Sequence, residues 1–264
     1  MLERPRPERF DVMGIGVSAV TFDGAVETLM ATPRHGERLR VHFGAMHTFT
    51  EASKSEDLRR SLDEADYVLP DGMPLVWLGR LRGKRLERVC GPDAMLAVLD
   101  KSRVRGQRHF FYGGTPESLG KLGAAMTRRF PGLCIAGLYS PPFRPLTEQE
   151  TLDVAAKINA ANPDFVWVGL GSPKQDEWLA TFRPLLDAPV LLAVGAAFDF
   201  HSGRLRRAPR WAQRAGLEWA FRLAAEPRRL AGRYAAMGVC FARILLTEAA
   251  SPGRPRKVAL DDQW

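Results

Sequence analysis

Asp164-Phe165-Val166-Trp167-Val168-Gly169-Leu170-Gly171 and Pro189-Val190-Leu191-Leu192-Ala193-Val194-Gly195-Ala196-Ala197-Phe198 are the stretches that decide the fold. Neither alternates apolar with polar residues, as a strand with one wet face would. Both therefore read as strands buried on both faces, and both run out into glycine. Five further short apolar runs, Phe10–Val17, Leu39–Phe43, Tyr67–Leu69, His109–Tyr112 and Cys134–Leu138, are separated by helix-length amphipathic segments. Strands spaced by helices predict a parallel sheet covered by helices, an α/β fold whose ligands bind beyond the carboxyl ends of the strands.

Glycine and polar residues gather at those ends. After His109–Tyr112 comes Gly113-Gly114-Thr115-Pro116-Glu117, in which Thr115 can cap a helix, Pro116 suits its first position and the glycines let a ligand approach the backbone. After Phe165–Gly169 comes Leu170-Gly171-Ser172-Pro173-Lys174-Gln175-Asp176, with the same cap-then-proline order and a lysine added. Two such turns in a Rossmann-like sheet fit a nucleotide site, because a helix start can hold phosphate. Turns of this kind also serve simply to close strand–helix connections. Neither is a P-loop, and the G-x-G-x-x-G fingerprint that a nicotinamide-dependent oxidoreductase would carry is missing.

The chain carries a net charge of +8 over 264 residues, and nearly all of it is local. Between positions 203 and 233 there are nine arginines, no lysine and two glutamates, Glu218 and Glu226, a surplus of seven positive charges. Guanidinium forks match phosphate geometry, so this block fits nucleic acid, an anionic membrane surface or a diphosphate-bearing ligand. Trp211, Leu217 and Phe221, then Leu230, Tyr234, Met237, Phe241 and Ile244, fit two helices, the second started by Pro227. The second series forms one apolar stripe, which can either dock on the core or lie against a membrane. The expected organisation is an α/β core over 1–200, a basic helical appendage over 201–250 and a disordered polar tail over 251–264.

Three scattered cysteines, Cys90, Cys134 and Cys240, are too few for a disulfide framework or a zinc site and read as structural thiols in a reducing compartment. The charged, proline-containing start does not resemble a signal peptide. The longest clean apolar run, 188–198, falls short of the roughly 20 residues of a spanning helix, so membrane contact is expected to be peripheral. His47 and His201 lack partners at metal-ligand spacing, and neither a metal nor a cofactor is expected.

Asp71, in Leu69-Pro70-Asp71-Gly72-Met73, closes a strand and can act as a general base toward an attacking hydroxyl, or else cap the helix that follows. Asp93, beside Pro92, reads as a helix cap. Asp199 follows a buried strand and can orient a sugar hydroxyl or a neighbouring arginine.

L-P-D-G-M-P-L-V-W (69–77), E-R-V-C-G-P-D (87–93), F-F-Y-G-G-T-P-E (110–117), S-P-P-F-R-P-L-T (140–147), V-G-L-G-S-P-K-Q-D (168–176), V-G-A-A-F-D-F-H-S-G (194–203), R-A-P-R-W (207–211) and G-L-E-W-A-F-R-L-A-A-E-P-R-R-L (216–230) together resemble the WecG/TagA/CpsF family of glycosyltransferases. The ordered match runs from about Phe10 to Tyr234. The resemblance implies an inverting enzyme, without metal or cofactor, that moves a sugar from a UDP-sugar to a polyprenyl-diphosphate-linked acceptor in exopolysaccharide or cell-envelope glycan synthesis. It places that enzyme in the cytoplasm, on the inner face of the plasma membrane. It implies Asp71 as base, Gly113, Gly114, Gly169, Gly171, Pro173, Lys174 and Gln175 in donor binding, with Asp199 beside them. Arg207, Arg222, Arg228, Arg229 and Arg233 are implied to meet diphosphate and membrane. Two departures stand out: Ala45 replaces an asparagine expected near the second strand, and Asp176 shortens the usual P-K-Q-E. Ala45 leaves an inactive relative as an alternative, and the basic block leaves a nucleic-acid-binding α/β protein as another. A homo-oligomer stays open.

Overall fold

A computed structural model describes residues 7–214 and 216–250. Strands and helices alternate in chain order: β1 (Arg9–Val12), β2 (Ile15–Ser18), α1 (Phe22–His35), β3 (Leu39–Gly44), α2 (Met46–Ala52), α3 (Glu56–Asp63), β4 (Tyr67–Pro70), α4 (Met73–Leu81) and α5 (Gly91–Ser102). They continue with β5 (Arg108–Gly113), α6 (Pro116–Arg129), β6 (Cys134–Tyr139), α7 (Glu148–Ala160), β7 (Phe165–Gly169), α8 (Lys174–Phe182), β8 (Val190–Ala193), α9 (Ala197–His201), α10 (Arg210–Arg214), α11 (Glu218–Ala225) and α12 (Pro227–Ala250). The expected tail, 251–264, lies outside the described residues.

Six strands form one parallel sheet in the order β4-β3-β8-β7-β5-β6. The two stretches that lack alternation are its central strands β7 and β8. Their consecutive side chains point to opposite faces, and both faces are covered. Phe165, Trp167, Val190 and Leu192 enter the core under α1, α5 and α6, with Phe111 from β5. Val166, Val168, Leu191 and Ala193 enter the second core under α7 and α8, with Phe110 and Tyr112. Burial of that kind stabilises by about 2 kcal/mol per large side chain, and here it is available on both faces of the same strand. Edge strand β6 is only half-buried, in keeping with its weaker apolar character.

One polar chain is closed inside the first core. Trp167 Nε1 donates to His109 Nδ1 at 3.1 Å, and His109 Nε2 meets the Ser102 hydroxyl at 2.7 Å, which in turn donates to the Leu99 carbonyl. Burial pushes His109 down to about 3, so the ring is neutral and its Nε2 carries the proton.

Two expectations change, and one open alternative is settled. The run Phe10–Val17 is not a strand of the parallel sheet but the hairpin β1–β2, turned at Met13 and Gly14, both with positive φ. That turn suits the twist of a two-residue hairpin, and its strands pack Phe10, Val12, Ile15 and Val17 into a third core with α2, α3 and α4. The arginine-rich segment forms three helices, α10, α11 and α12, where two were expected. The apolar stripe of α12 faces the protein: Ile244 is buried in the third core, and Met237, Cys240 and Phe241 pack against it. That stripe docks, adding these side chains to the apolar surface of the hairpin and α2.

Candidate active site

All six sheet strands run the same way, so their carboxyl ends line one edge, and Asp71 and the two glycine-rich turns lie along it. The Asp71 N–H donates to the Gly44 carbonyl at 2.9 Å, which extends the β3–β4 pairing one residue beyond the sheet. The turn then throws its side chain outward. Gly72, not Asp71, occupies the cap of α4, with no side-chain hydrogen bond, so the carboxylate is not used as a helix cap. Ala45 stands beside this turn: a Cβ placed on Gly72 would lie 3.8 Å from its methyl.

The Asp71 side chain keeps 26% of its surface but is ringed by protein. Burial is the largest influence and pushes its pKa up to about 6. Arg88, whose Nη2 is 3.7 Å from Asp71 Oδ1, and an N–H from Gly91 pull it down, while Glu218 raises it. A carboxylate that is half-protonated near 6 suits proton abstraction near neutral pH.

Arg88 and Glu218 are site residues that the sequence reading missed. Arg88 Nε donates to the Asp71 carbonyl at 2.8 Å, and its Nη2 donates to Glu218 Oε2 at 2.7 Å. Glu218 Oε1 accepts from Arg207 Nε at 3.2 Å. Arg207 also closes a fork on Asp93, with Nη2 to Oδ2 at 2.9 Å and Nη1 on Oδ1, and it lies over the Phe200 ring. Asp93 is thus an ion-pair partner rather than the helix cap expected of it; it also accepts from the Cys90 thiol at 2.9 Å. The arginine holds Asp93 below the usual carboxylate range, and burial pushes the Cys90 thiol far above its own. The signal for Glu218 was present in the sequence as an acid amid nine arginines. Nothing local in the sequence paired it with Arg88.

The glycine-rich ends of β5 and β7 sit side by side, with Gly113 in register with Gly169. A Cβ on Gly113 would come within 2.5 Å of the Gly169 carbonyl oxygen, and its φ is +127°, so this approach requires glycine. Gly169 itself backs onto the Phe198 ring. Thr115 caps α6 as expected, exchanging hydrogen bonds with Ser118, and Pro116 takes the first helical position. Ser140, on the loop after β6, donates to the Gly114 carbonyl at 2.6 Å and brings that loop against the turn.

At the β7 end the reading needs correction. Ser172 does not cap α8: its hydroxyl is buried without a protein partner, and Pro173 occupies the cap position. The first-turn amides of α8 are taken by the loop, Gln175 N–H by the Gly171 carbonyl and those of Asp176 and Glu177 by Pro173. Gln175 is buried and acts as a brace. Its Oε1 accepts from the Gly171 and Gly195 N–H groups at 3.2 and 2.8 Å, and its Nε2 donates to the Ala193 carbonyl, tying the ends of β7 and β8 together. Lys174 stands exposed beside it. Asp176 points into the core, where Oδ1 meets His42 Nδ1 at 2.8 Å. Asp199 pairs with Arg204 at 3.3 Å, the second of the two roles expected of it.

The start of α5 lies against the end of β8, since a Cβ on Gly91 would be 2.9 Å from the Val194 oxygen. His201 Nε2 contacts the Pro92 carbonyl at 2.9 Å. The edge is therefore continuous from Asp71 through Gly91 to the glycine turns. Arg222 is half-buried on α11 and Arg228 lies exposed on the first turn of α12; the side chains of Arg229 and Arg233 lie outside what the structure describes. Among the described residues no group of three or more His, Cys, Asp or Glu side chains is placed to hold a metal ion.

A raised-pKa carboxylate, an arginine cluster and close-packed glycine turns thus share one strand-end edge of a covered parallel sheet. A family model, described as the glycosyl transferase WecG/TagA/CpsF family, matches residues 10–255. The chain is 37% identical over 180 residues to an N-acetylglucosaminyldiphosphoundecaprenol N-acetyl-beta-D-mannosaminyltransferase of Bacillus spizizenii, covering 68% of each chain. It is 24% identical over 231 residues to the Staphylococcus aureus protein of the same name, covering 86% of this chain and 89% of that one. The chain belongs to the WecG/TagA/CpsF family and is a glycosyltransferase.

Proposed function

We propose that the protein moves a sugar, with inversion, from a UDP-sugar to a hydroxyl of a polyprenyl-diphosphate-linked glycan, using Asp71 as general base. The observation that carries this is Asp71 itself, a ringed carboxylate with its pKa near 6 on the same strand-end edge as the glycine turns. The acceptor oxygen attacks the anomeric carbon from the face opposite the nucleotide and its proton passes to Asp71. The bond from that carbon to the diphosphate oxygen breaks, and UDP leaves with the electron pair. Lys174, Arg222 and Arg228 are the cations assigned to the developing diphosphate charge, and one such well-placed donor typically contributes about 3 kcal/mol to lowering the barrier. The names of the relatives support the lipid-linked acceptor.

Residues 1–200 would then be the catalytic core and 201–250 the segment that completes the site at the membrane. No helix among the described residues is long and apolar enough to cross a bilayer. Trp211, Leu217, Trp219 and Phe221 nevertheless stand exposed among the arginines, and Trp77 and Leu81 stand exposed on α4. Gly216 packs on Met73 and Trp77, which joins the two sets into one face. Apolar side chains interleaved with arginine fit the interface of an anionic bilayer, and the inner face of the plasma membrane is the location this implies.

The test is release of UDP from a panel of UDP-sugars with a synthetic lipid-diphosphate N-acetylglucosamine acceptor. Acceptor-dependent release that Asp71→Asn abolishes is the expected result. Release undiminished by Asp71→Asn would end the proposed role of Asp71.

A further inference from the structure

Glu218 opens α11 with 13% of its side chain exposed, between the guanidinium groups of Arg88 and Arg207. Arg88 Nη2 has two acids within reach, Glu218 Oε2 at 2.7 Å and Asp71 Oδ1 at 3.7 Å. The first distance is a charge-assisted hydrogen bond and the second is too long to be one. Arg88 is further fixed by the Asp71 carbonyl and by Gln213, on α10. We propose that Glu218 is a positioning residue for Asp71: it holds the Arg88 guanidinium off the Asp71 carboxylate, so the base is ready only while the α10–α11 segment is docked. This inference rests on Asp71 being the base.

The charges of the cluster support it. Arg88 and Arg207 face three acids, Asp71, Asp93 and Glu218, with the neutral Cys90 thiol and the Gly91 N–H completing the surroundings of Asp71. With Asp71 protonated the two cations balance two carboxylates. Ionised, Asp71 is the one unmatched negative charge, which agrees with its upward shift. If Glu218 is withdrawn, the free fork of Arg88 has about 1 Å to travel to pair with Asp71. A carboxylate paired in that way is a weaker base, with its pKa lowered by roughly one to three units.

The experiment is a carbon-13 NMR titration of full-length protein carrying labelled aspartate carboxyls, with the Asp71 signal assigned by its loss in Asp71→Asn. The wild-type midpoint is expected near 6. Glu218→Gln should lower it by about one unit. In an Arg88→Gln background the same substitution should move it less than half as far, because Glu218 acts through Arg88. A midpoint unmoved by Glu218→Gln overturns the proposal, and so does an equal fall with and without Arg88, the mark of direct repulsion between the two carboxylates or of simple undocking and hydration. Should Glu218→Gln not fold, Glu218→Asp serves, with a smaller fall expected and no fall counting against. UDP release that survives in Asp71→Asn would refute the base reading instead, and leave the titration result standing.

Discussion

Replacing Asp71 by Asn should make the protein more stable at neutral pH while removing its activity. The folded-state pKa is raised from 3.8 to about 6. Such a shift means that the folded state holds a proton the unfolded chain has given up between those values, so folding weakens as pH rises from about 4 to 6 and the full penalty persists above. Two units correspond to about 3 kcal/mol at neutral pH. The substitution relieves that penalty, keeps an oxygen to accept from the Gly91 N–H, and gives up the 3.7 Å contact with Arg88, worth well under 1 kcal/mol. A gain of about 2 kcal/mol is expected at pH 7.5, which for a chain of this size raises Tm by about 4–8 °C. At pH 4, where the native carboxyl is already protonated, the gain should nearly vanish. Urea titrations of both proteins at the two pH values measure it. A variant no more stable than wild type at pH 7.5, or a gain independent of pH, would refute the claim that the site strains an ionised carboxylate.

Arg207→Gln should cost about 2 kcal/mol by stranding Asp93 and loosening Glu218, and should expose the α10–α12 segment to limited proteolysis before the sheet is cut. Gly113→Ala should destabilise by at least about 2 kcal/mol in chemical denaturation, since its Cβ meets the Gly169 backbone at 2.5 Å at a positive φ that side chains rarely adopt. Trp77→Ser with Leu81→Ser should weaken sedimentation with phosphatidylglycerol vesicles several-fold while lowering Tm only slightly, because Leu81 is largely exposed and Trp77 is half exposed. Unchanged vesicle binding would remove α4 from the membrane face.

The central sheet was legible because its strands needed no context. Side chains at Phe165–Val168 and Val190–Ala193 are apolar on both faces, a pattern only a doubly covered strand requires. The hairpin was misread because apolar density marks a strand but not its partner; Met13 and Gly14 decide the turn, and a methionine with positive φ gives no compositional warning. Asp71, Gly113 and Thr115 were legible through local chemistry, a strand end or a helix start. Ser172 looked the same locally, but the Gly171 and Pro173 carbonyls take the first-turn N–H groups of α8 in its place.

What the sequence hides most completely is the sharing of Arg88. Its three neighbours are Asp71, at the end of β4, Gln213 on α10 and Glu218 on α11, and no periodicity connects them. Read as a string, 203–233 is a surplus of seven positive charges available to phosphate. Folded, Arg207 is committed to Asp93 and Glu218, and Glu218, a well-buried acid of the block, is committed to Arg88. The segment therefore presents a smaller set of arginines to a ligand than its composition implies, and it uses the others to fix its own docking. Because the same guanidinium stands between the base and the segment, removal of the C-terminal helices should change the chemistry at Asp71 even for an acceptor that never touches a membrane.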